Sequence, residues 1–379
     1  MPYFSFSIKG INSQLKEFNI KPNELYYSKN TEIWKILNKK SDNSIISLNY
    51  QKRLRIEKLG KNILFFLPPS IGVGDAIEYA IAIKELRNKK SFNKIAVAFA
   101  GKYSFIFKKY FKIKNTFSYV ISKNQMLEYD THFHFTLEIK PLINQKYFRT
   151  NIYNEILKYF KIVNEIKYNK YLLNKKIKKI SIFPISTSPL RSMPVEVISN
   201  LIKKLEKKFQ VEIFFDNNSE ISNFLYKNLK VDKVSIHNPK NTIELVDQIK
   251  KIEYGIFMDS GPIHIAKLFN KRGLLLETTV SKNILLNNYF LIKSIENKYS
   301  SSFCEAPCGL TDIFNFKNNF GCYDSLEIKD NFFKKNKFSF LNNRGVKNNY
   351  LEFIKKPVGC INSLNVQNIY NNIIKDIDL

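Results

Sequence analysis

Apolar positions in this chain occur as short runs that alternate with longer amphipathic stretches. The run from Asn62 to Leu67 has almost no polar interruption, which is typical of a parallel strand buried on both faces. Further runs at 94–99 and 116–121 are separated by segments whose apolar spacing predicts helices at 76–89 and near 103–111. Strands and helices that alternate in this order predict an α/β lobe built on a parallel sheet.

A second α/β series begins near residue 179 and predicts a second Rossmann-like lobe. Its predicted strands lie at 179–184, 210–215, 255–258 and 273–276, and its helices at 194–208, 219–229 and 242–251, with a closing helix at 364–377. We divide the chain into an N-terminal extension packed on the first lobe (1–60), the N-terminal lobe (61–174), the C-terminal lobe (175–300) and a cysteine-containing tail (301–379). Within the extension, the pattern from Tyr26 to Leu37 predicts a short helix.

The stretch from Tyr254 to Phe269 combines a strand, a tight turn and a helix start. The apolar strand breaks at Asp259-Ser260-Gly261, and Pro262 suits the first turn of a helix, where its missing N–H is not needed. A turn of this kind leaves backbone N–H groups at the helix start that can bind a phosphate. A capped helix without any ligand explains the same residues equally well.

The charge balance limits the classes of partner. The 379 residues carry 61 basic and 33 acidic side chains, a net charge of +28, which attracts anionic surfaces. The basic residues are spread along the chain and do not form one stripe, so we expect no specific nucleic-acid binding. No apolar run reaches the roughly 18 residues of a membrane span, and the N-terminus does not show a signal-peptide pattern. These features predict a cytoplasmic protein.

The possible metal ligands do not form a convincing site. The chain has only four cysteines, all in its C-terminal tail: Cys304, Cys308, Cys322 and Cys360. So few cysteines fit a reducing compartment. Their spacing supplies only half of a paired-knuckle zinc pattern. Buried free thiols are the alternative explanation. His132 and His134 would share one face of a strand, but no carboxylate or cysteine stands at ligand spacing beside them. We therefore expect no metal.

Three segments together resemble glycosyltransferase family 9, the ADP-heptose:lipopolysaccharide heptosyltransferases. They are Gly72-Val73-Gly74-Asp75-Ala76-Ile77, the segment from Phe183-Pro184 through Arg191-Ser192-Met193-Pro194, and Asp259-Ser260-Gly261-Pro262-Ile263-His264-Ile265-Ala266. The third is the most specific, because the family signature is an Asp-Ser/Thr-Gly-Pro-x-His-x-Ala pattern. The resemblance covers about residues 62 to 280.

The resemblance implies an α/β GT-B fold, in which two Rossmann-like lobes with parallel sheets face a central cleft. It implies inverting, metal-independent transfer of a heptose or similar sugar from a nucleoside-diphosphate sugar, such as ADP-heptose, to a lipopolysaccharide-core or other cell-envelope glycan. The acceptor would be lipid-linked or phosphorylated, and the positive surface would hold the protein at the anionic inner face of the cytoplasmic membrane. A non-catalytic homologue that binds sugar nucleotides or glycans is the alternative.

The resemblance also assigns candidate site residues. Asp75, beside Gly72 and Gly74, matches the catalytic aspartate that takes the acceptor proton, although an aspartate also caps helices well. The donor diphosphate would be met by the start of the Pro262 helix and by a nearby cation. The candidates for donor binding are the N–H groups of Ser260 and Gly261, Pro262 at the helix start, Arg191 (otherwise a solvated loop arginine), Asp259 (which binds sugar hydroxyls or fixes the loop), His264 (a second donor group or a core histidine) and Asp216 (for the ribose).

Three departures from the family pattern bear on donor identity more than on the fold. Ile81 stands where the family commonly has proline. Glu277-Thr278-Thr279 replaces a glycine-containing loop near the sugar. Ser186-Thr187-Ser188 lacks the usual glycine.

Overall fold

The structure is a computed structural model, and it describes residues 4–8, 20, 24, 26–28, 45–50, 60–68, 71–135, 151–162, 176–216, 219–231, 234–286, 289–300, 305–309, 354–355, 357 and 359–378. The chain divides into two compact units. The first unit comprises Met1–Pro141 and Ile152–Asn164, and the second comprises Leu142–Asn151 and Glu165–Leu379. The domain boundaries stated above stay a prediction.

The first unit contains a four-stranded parallel sheet and a long helix. The sheet has the order β6-β5-β4-β8. Its elements are β4 (Asn62–Phe66), α1 (Val73–Lys89), β5 (Lys94–Ala98), β6 (Asn115–Phe117) and β8 (Thr131–His134), with α3 (Ile152–Tyr159) packed on α1. All side chains of β4 after the first are buried, as the uninterrupted apolar run predicts for a central parallel strand.

Three N-terminal strands form a separate antiparallel sheet with a strand of the first unit. The order is β3-β1-β2-β7, where β1 is Phe4–Ile8, β2 is Tyr26–Ser28, β3 is Ile45–Tyr50 and β7 is Val120–Ser122. Tyr26–Ser28 is therefore a strand, and the helix predicted to start there is wrong at these residues; positions 29–37 lie outside the described residues. The run at 116–121 is split between β6 and β7, which belong to different sheets. A short helix, α2 (Lys123–Leu127), follows β7.

The second unit contains a six-stranded parallel sheet in the order β11-β10-β9-β12-β13-β14. Its strands are β9 (Lys179–Phe183), β10 (Gln210–Phe214), β11 (Ser235–His237), β12 (Tyr254–Phe257), β13 (Arg272–Glu277) and β14 (Ile292–Glu296). Its helices are α4 (Val195–Leu205), α5 (Glu220–Asn228), α6 (Thr242–Ile249), α7 (Gly261–Leu268), α8 (Lys282–Leu285), α9 (Gly359–Asn362) and α10 (Val366–Ile377). The second unit also contains a two-stranded antiparallel ribbon, formed by β15 (Tyr299–Ser300) and β16 (Glu305–Ala306).

The two faces of this sheet bury different residues. Aliphatic side chains of β9, β10, β12 and β13 pack with α4, α5 and α10 in one cluster. The alternate positions carry a row of stacked aromatic rings: Phe257 lies on Phe183 at a centroid distance of 5.1 Å, and Phe183 lies on Phe214 at 4.5 Å. Side chains alternate between the faces of a strand, so one sequence supplies both surfaces.

Two glycines make room for the Phe257 ring, at one end of this aromatic row. Gly255 pairs with Gly273 across β12 and β13. A Cβ atom at Gly255 would overlap the Phe257 ring, and a Cβ atom at Gly273 would overlap the carbonyl oxygen of Gly255. The close approach of these two strands therefore requires glycine at both positions.

The C-terminal helix α10 is fixed to the central strands by buried polar contacts. The hydroxyl of Tyr254 donates to Asp376 Oδ2 at 3.0 Å, and Arg272 donates to the carbonyl oxygen of Asp376 at 2.6 Å. All three residues are buried. Burial raises the pKa of the Asp376 carboxyl, an effect that the Tyr254 hydrogen bond and the Arg272 charge oppose.

Helices in the described part of the chain are too short or too polar to cross a membrane.

We predict that Gly273→Ala lowers the free energy of unfolding by about 1–3 kcal/mol, because a buried backbone must move to admit one methyl group. Urea denaturation followed by circular dichroism measures the change. Gly72→Ala is the matched control, because a Cβ there meets only Asp75 Oδ2 at 3.4 Å. A Gly273→Ala protein as stable as Gly72→Ala would contradict the packing described here.

Candidate functional site

Three loops of the second unit converge at the carboxyl edge of its sheet. They follow β9, β12 and β13, and the strand pairing places Phe183, Phe257 and Leu275 side by side just before the loops begin. Parallel sheets bind their ligands at this edge. All of the residues predicted for donor binding belong to the second unit.

The loop after β9 is closed by its own serine side chains. Ser192 Oγ donates to the carbonyl oxygen of Ser188 at 2.9 Å and accepts from the N–H of Ser186 at 3.0 Å. The Met193 N–H donates to the carbonyl oxygen of Pro184 at 2.8 Å. Ser186, Ser188 and Ser192 are all buried, so the polar segment that lacks the family glycine is a compact, hydrogen-bonded loop.

This loop reaches across the end of β12 to β13. Thr278 Oγ1 donates to the carbonyl oxygen of Leu190 at 2.9 Å. Since β12 lies between β9 and β13, the contact places the next residue, Arg191, over the end of β12.

Arg191 is held by Asp259 and Thr187. Its guanidinium donates through one terminal nitrogen to Asp259 Oδ2 and to the Asp259 carbonyl oxygen, both at 3.1 Å, and through the other to Thr187 Oγ1 at 3.2 Å. The side chains of Arg191 and Asp259 are 14% and 8% exposed. Asp259 thus fixes the Arg191 guanidinium, which is paired and mostly buried, unlike a solvated loop arginine. The donor-binding roles of both residues stay predictions.

The helix α7 begins beside this ion pair, and its first turn is not capped by a side chain. Ser260 is the N-cap residue and makes no side-chain cap hydrogen bond. Gly261 and Pro262 form the first turn, as the sequence predicts. The first N–H groups of a helix have no acceptor within the helix, and together with an arginine they form an environment that favours an anion.

The other two donor-binding candidates occupy different positions. Asp216 is exposed and follows β10, and its backbone N–H donates to Ser222 Oγ at 2.8 Å. His264 is half-buried one turn into α7.

Asp75 lies in the first turn of α1, in the first unit. The helix begins at Val73, three residues earlier than predicted, so Gly74 and Asp75 are helical and Gly72 is the N-cap. Asp75 Oδ2 accepts from the N–H of Gly72 at 2.9 Å. The capping alternative is thus realised at the third helical position. Burial, together with the charge of Asp75, raises the pKa of the Tyr79 hydroxyl one turn away.

The structure describes His132, His134, Cys308 and Cys360, which are four of the six side chains considered above as possible metal ligands. His132 Nε2 lies 2.9 Å from the carbonyl oxygen of Met126, and the buried His134 ring stacks on Phe66 at 4.2 Å. Cys308 is half-buried and Cys360 is buried, whereas Cys304 and Cys322 lie outside the described residues. Within the described ranges, no group of three or more His, Cys, Asp or Glu side chains could hold a metal ion.

Sequence reasoning missed the contributions of Glu277, Thr278 and Thr279 to this edge. All three are buried, with exposures of 2%, 0% and 1%. The signal available was a carboxylate and two hydroxyls directly after the apolar run Leu274–Leu276, at the carboxyl end of a buried strand.

We predict that Arg191→Gln lowers the free energy of unfolding by up to about 3–5 kcal/mol, because it leaves the Asp259 carboxylate buried without its cation. The double variant Arg191→Gln/Asp259→Asn removes both charges and should recover most of the loss. Thermal and urea denaturation measure both variants. If the double variant is no more stable than Arg191→Gln, the ion pair does not account for the effect.

The comparisons with known proteins support the fold. No protein-family model and no curated protein matches this chain. Among solved structures, a family 9 glycosyltransferase from Veillonella parvula DSM 2008 superposes with a TM-score of 0.52 at 10% identity, covering 84% of this chain and 98% of its own. The iron-containing dodecameric glycosyltransferase TibC from enterotoxigenic E. coli H10407 gives a TM-score of 0.50 at 12% identity, covering 88% and 80%.

A second TibC structure, a heptosyltransferase complex with ADP-D-β-D-heptose, gives the same TM-score and identity. At these identities the likeness concerns the fold alone. The expectation of an α/β fold with two parallel sheets is confirmed, and so is the resemblance to glycosyltransferase family 9 at the level of fold. This chain has a heptosyltransferase-like fold of the glycosyltransferase family 9 type.

Proposed function

We propose that this chain is an inverting glycosyltransferase. It moves a heptose or similar sugar from a nucleoside-diphosphate sugar to a lipopolysaccharide-core or other cell-envelope glycan. The observation that carries the proposal is Arg191, whose side chain is 14% exposed and is held by Asp259 beside the uncapped first turn of α7 at the carboxyl edge of a parallel sheet. A fold shared with glycosyltransferases supports the same conclusion.

The second unit supplies the donor half of the reaction. The diphosphate lies against the N–H groups at the start of α7, with Arg191 as the cation, and this pair stabilises the charge that develops on the leaving group. Asp259 keeps the guanidinium in place before the donor arrives. Since Asp259 is already paired with Arg191, its charge repels an incoming diphosphate less than a bare carboxylate would.

Transfer then follows in one displacement. The acceptor hydroxyl oxygen forms a bond to the anomeric carbon of the sugar while the bond from that carbon to the diphosphate oxygen breaks. The nucleoside diphosphate leaves with the bonding electron pair, and the acceptor proton passes to the Asp75 carboxylate as general base. Inversion at the anomeric carbon results from the single displacement.

ADP-heptose is the first donor to test. TibC, which shares this fold, has been crystallised with ADP-D-β-D-heptose. The loop Ser186-Thr187-Ser188 and the segment Glu277-Thr278-Thr279 differ from the family pattern, so UDP- and GDP-sugars belong in the same screen.

One observation favours a second candidate, a non-catalytic homologue that binds sugar nucleotides. Asp75 already accepts a hydrogen bond from the Gly72 N–H in the first turn of α1, which is a sufficient structural reason for an aspartate at this position. In that case the second unit would bind the donor and no turnover would occur.

We predict that Asp75→Asn lowers the transfer rate at least about 100-fold, because it removes the base, while the Kd for the sugar nucleotide changes by less than about twofold. The rate is measured by mass spectrometry of the products, and Kd by calorimetry. Glu244→Gln is the matched control, because Glu244 accepts from the Lys240 N–H at 2.9 Å in the first turn of α6, the same local role. A wild-type protein that binds donor without transfer or hydrolysis would favour the binding homologue.

We also predict that transfer persists in excess EDTA, since Arg191 and the α7 start supply the charge stabilisation that a divalent cation would otherwise provide. The rate with and without EDTA measures this. TibC is iron-containing, so the metal content of the purified protein is determined in parallel by mass spectrometry. A rate that EDTA abolishes and Mg²⁺ restores would contradict metal-independent transfer.

The acceptor and the location of the protein form part of the same proposal. The net charge of +28 supports a lipid-linked or phosphorylated acceptor and a position at the inner face of the cytoplasmic membrane. We predict cosedimentation with phosphatidylglycerol vesicles at 50 mM salt and release at 500 mM salt, because screening weakens attraction to the anionic surface. Phosphatidylcholine vesicles are the control, and equal binding to both lipids would argue against a charge-driven association.

A further inference from the structure

Two buried oxygen atoms at the carboxyl end of β13 have no hydrogen-bond partner among the described residues. They are Glu277 Oε1 and Thr279 Oγ1, on side chains that are at least 98% buried by the exposures given above. Native proteins satisfy the large majority of their buried polar atoms, so each exception needs an explanation. A ligand group is one such explanation.

The structural tasks of both residues are carried out by other atoms. Glu277 accepts from the N–H of Lys282 at the start of α8 through Oε2, at 2.7 Å. Thr279 accepts from the N–H of Gly309 through its backbone carbonyl oxygen, at 2.6 Å. Helix capping and loop docking therefore do not require Oε1 of Glu277 or the hydroxyl of Thr279.

These atoms lie on the strand next to the proposed diphosphate site. Phe257 pairs with Leu275, so Asp259 and Glu277 follow at equivalent distances along neighbouring strands, which are about 5 Å apart. Thr278 lies between Glu277 and Thr279 in the sequence, and its hydroxyl donates a hydrogen bond to the carbonyl oxygen of Leu190, the neighbour of Arg191. The same loop thus connects the guanidinium and the two unsatisfied oxygens.

The charge of Glu277 limits what it can bind. A carboxylate accepts hydrogen bonds and repels phosphate, so the groups of a sugar nucleotide that it can bind are neutral donors such as hydroxyl groups. With the diphosphate at α7 beyond β12, the donor has two sides: β9 and β10, where Asp216 was assigned to the ribose, and β13 on the opposite side. The part of the donor on the β13 side is the sugar.

We propose that Glu277 and Thr279 are specificity residues that bind hydroxyl groups of the donor sugar, through Glu277 Oε1 and Thr279 Oγ1. This inference rests on the proposed function, since it requires a sugar nucleotide in the second unit. A site with buried hydrogen-bonding groups discriminates strongly against an analogue that lacks the matching hydroxyl, because those groups then stay unpaired. The pair therefore sets which sugar is accepted, while Arg191 and α7 bind any nucleoside diphosphate.

Calorimetry on the full chain tests the proposal with matched probes: ADP and ADP-D-β-D-heptose, UDP and UDP-glucose, GDP and GDP-mannose. The variants are Glu277→Gln, which replaces the unpaired carboxylate oxygen by an amide, and Thr279→Val, which removes only the hydroxyl. Thr279→Ser, which keeps the hydroxyl, is the control. We expect the Kd of the sugar nucleotide to rise about ten- to hundredfold in Glu277→Gln and about tenfold in Thr279→Val. The Kd of the matching nucleoside diphosphate should stay within about twofold of wild type.

The outcomes separate the two proposals. If wild type binds none of the six probes, the proposed function fails and this inference fails with it. A second outcome is that wild type binds a nucleoside diphosphate and its sugar conjugate while the variants weaken the binding of both ligands equally or of neither. In that case the glycosyltransferase proposal stands and the sugar-recognition proposal is overturned. Should Glu277→Gln not fold, the contrast between Thr279→Val and Thr279→Ser decides, since both keep the backbone contact to Gly309.

Discussion

The close approach of β12 and β13 is the constraint on which the rest of the second unit depends. Gly255 and Gly273 face each other across these strands and leave space for the Phe257 ring, which stacks in turn on Phe183. Because the strands are in this register, Asp259 and Glu277 emerge at the same edge of the sheet. The packing of three residues inside the sheet thus determines where two carboxylates stand at its end.

The ion pair between Arg191 and Asp259 at that edge affects both the stability of the fold and the readiness of the site for a ligand. Two partly exposed charges contribute little to stability, but Arg191 and Asp259 are mostly buried, so each makes the burial of the other tolerable. The same contact orders a long side chain before any ligand binds, which reduces the entropy that binding would otherwise cost. Stability and preorganisation are therefore properties of one contact here.

Much of the fold could be predicted from the sequence, because uninterrupted apolar runs mark buried parallel strands. The strands at Asn62–Phe66 and Lys179–Phe183 and the strand, turn and helix around Asp259 lie within a residue or two of their predicted bounds. The start of α1 was missed because Gly72-Val73-Gly74 has the composition of a turn. The partners of Arg191 could not be predicted, since Asp259 is 68 residues away and only the sheet order brings them together. Glu277 was overlooked for another reason, because a local sequence pattern does not show which carboxylate oxygen lacks a partner.

The attachment of α10 to the sheet has a consequence for how the chain is made. Asp376 lies 122 residues after Tyr254, the strand residue whose hydroxyl it accepts from. Ribosomes add roughly 5–20 residues per second, so about 6–24 s pass between the synthesis of these two partners. During that interval the part of the aliphatic face that Ile369 and Ile373 later bury is not yet covered by α10. Nascent second units are therefore open to chaperones, and to one another, until translation has nearly finished.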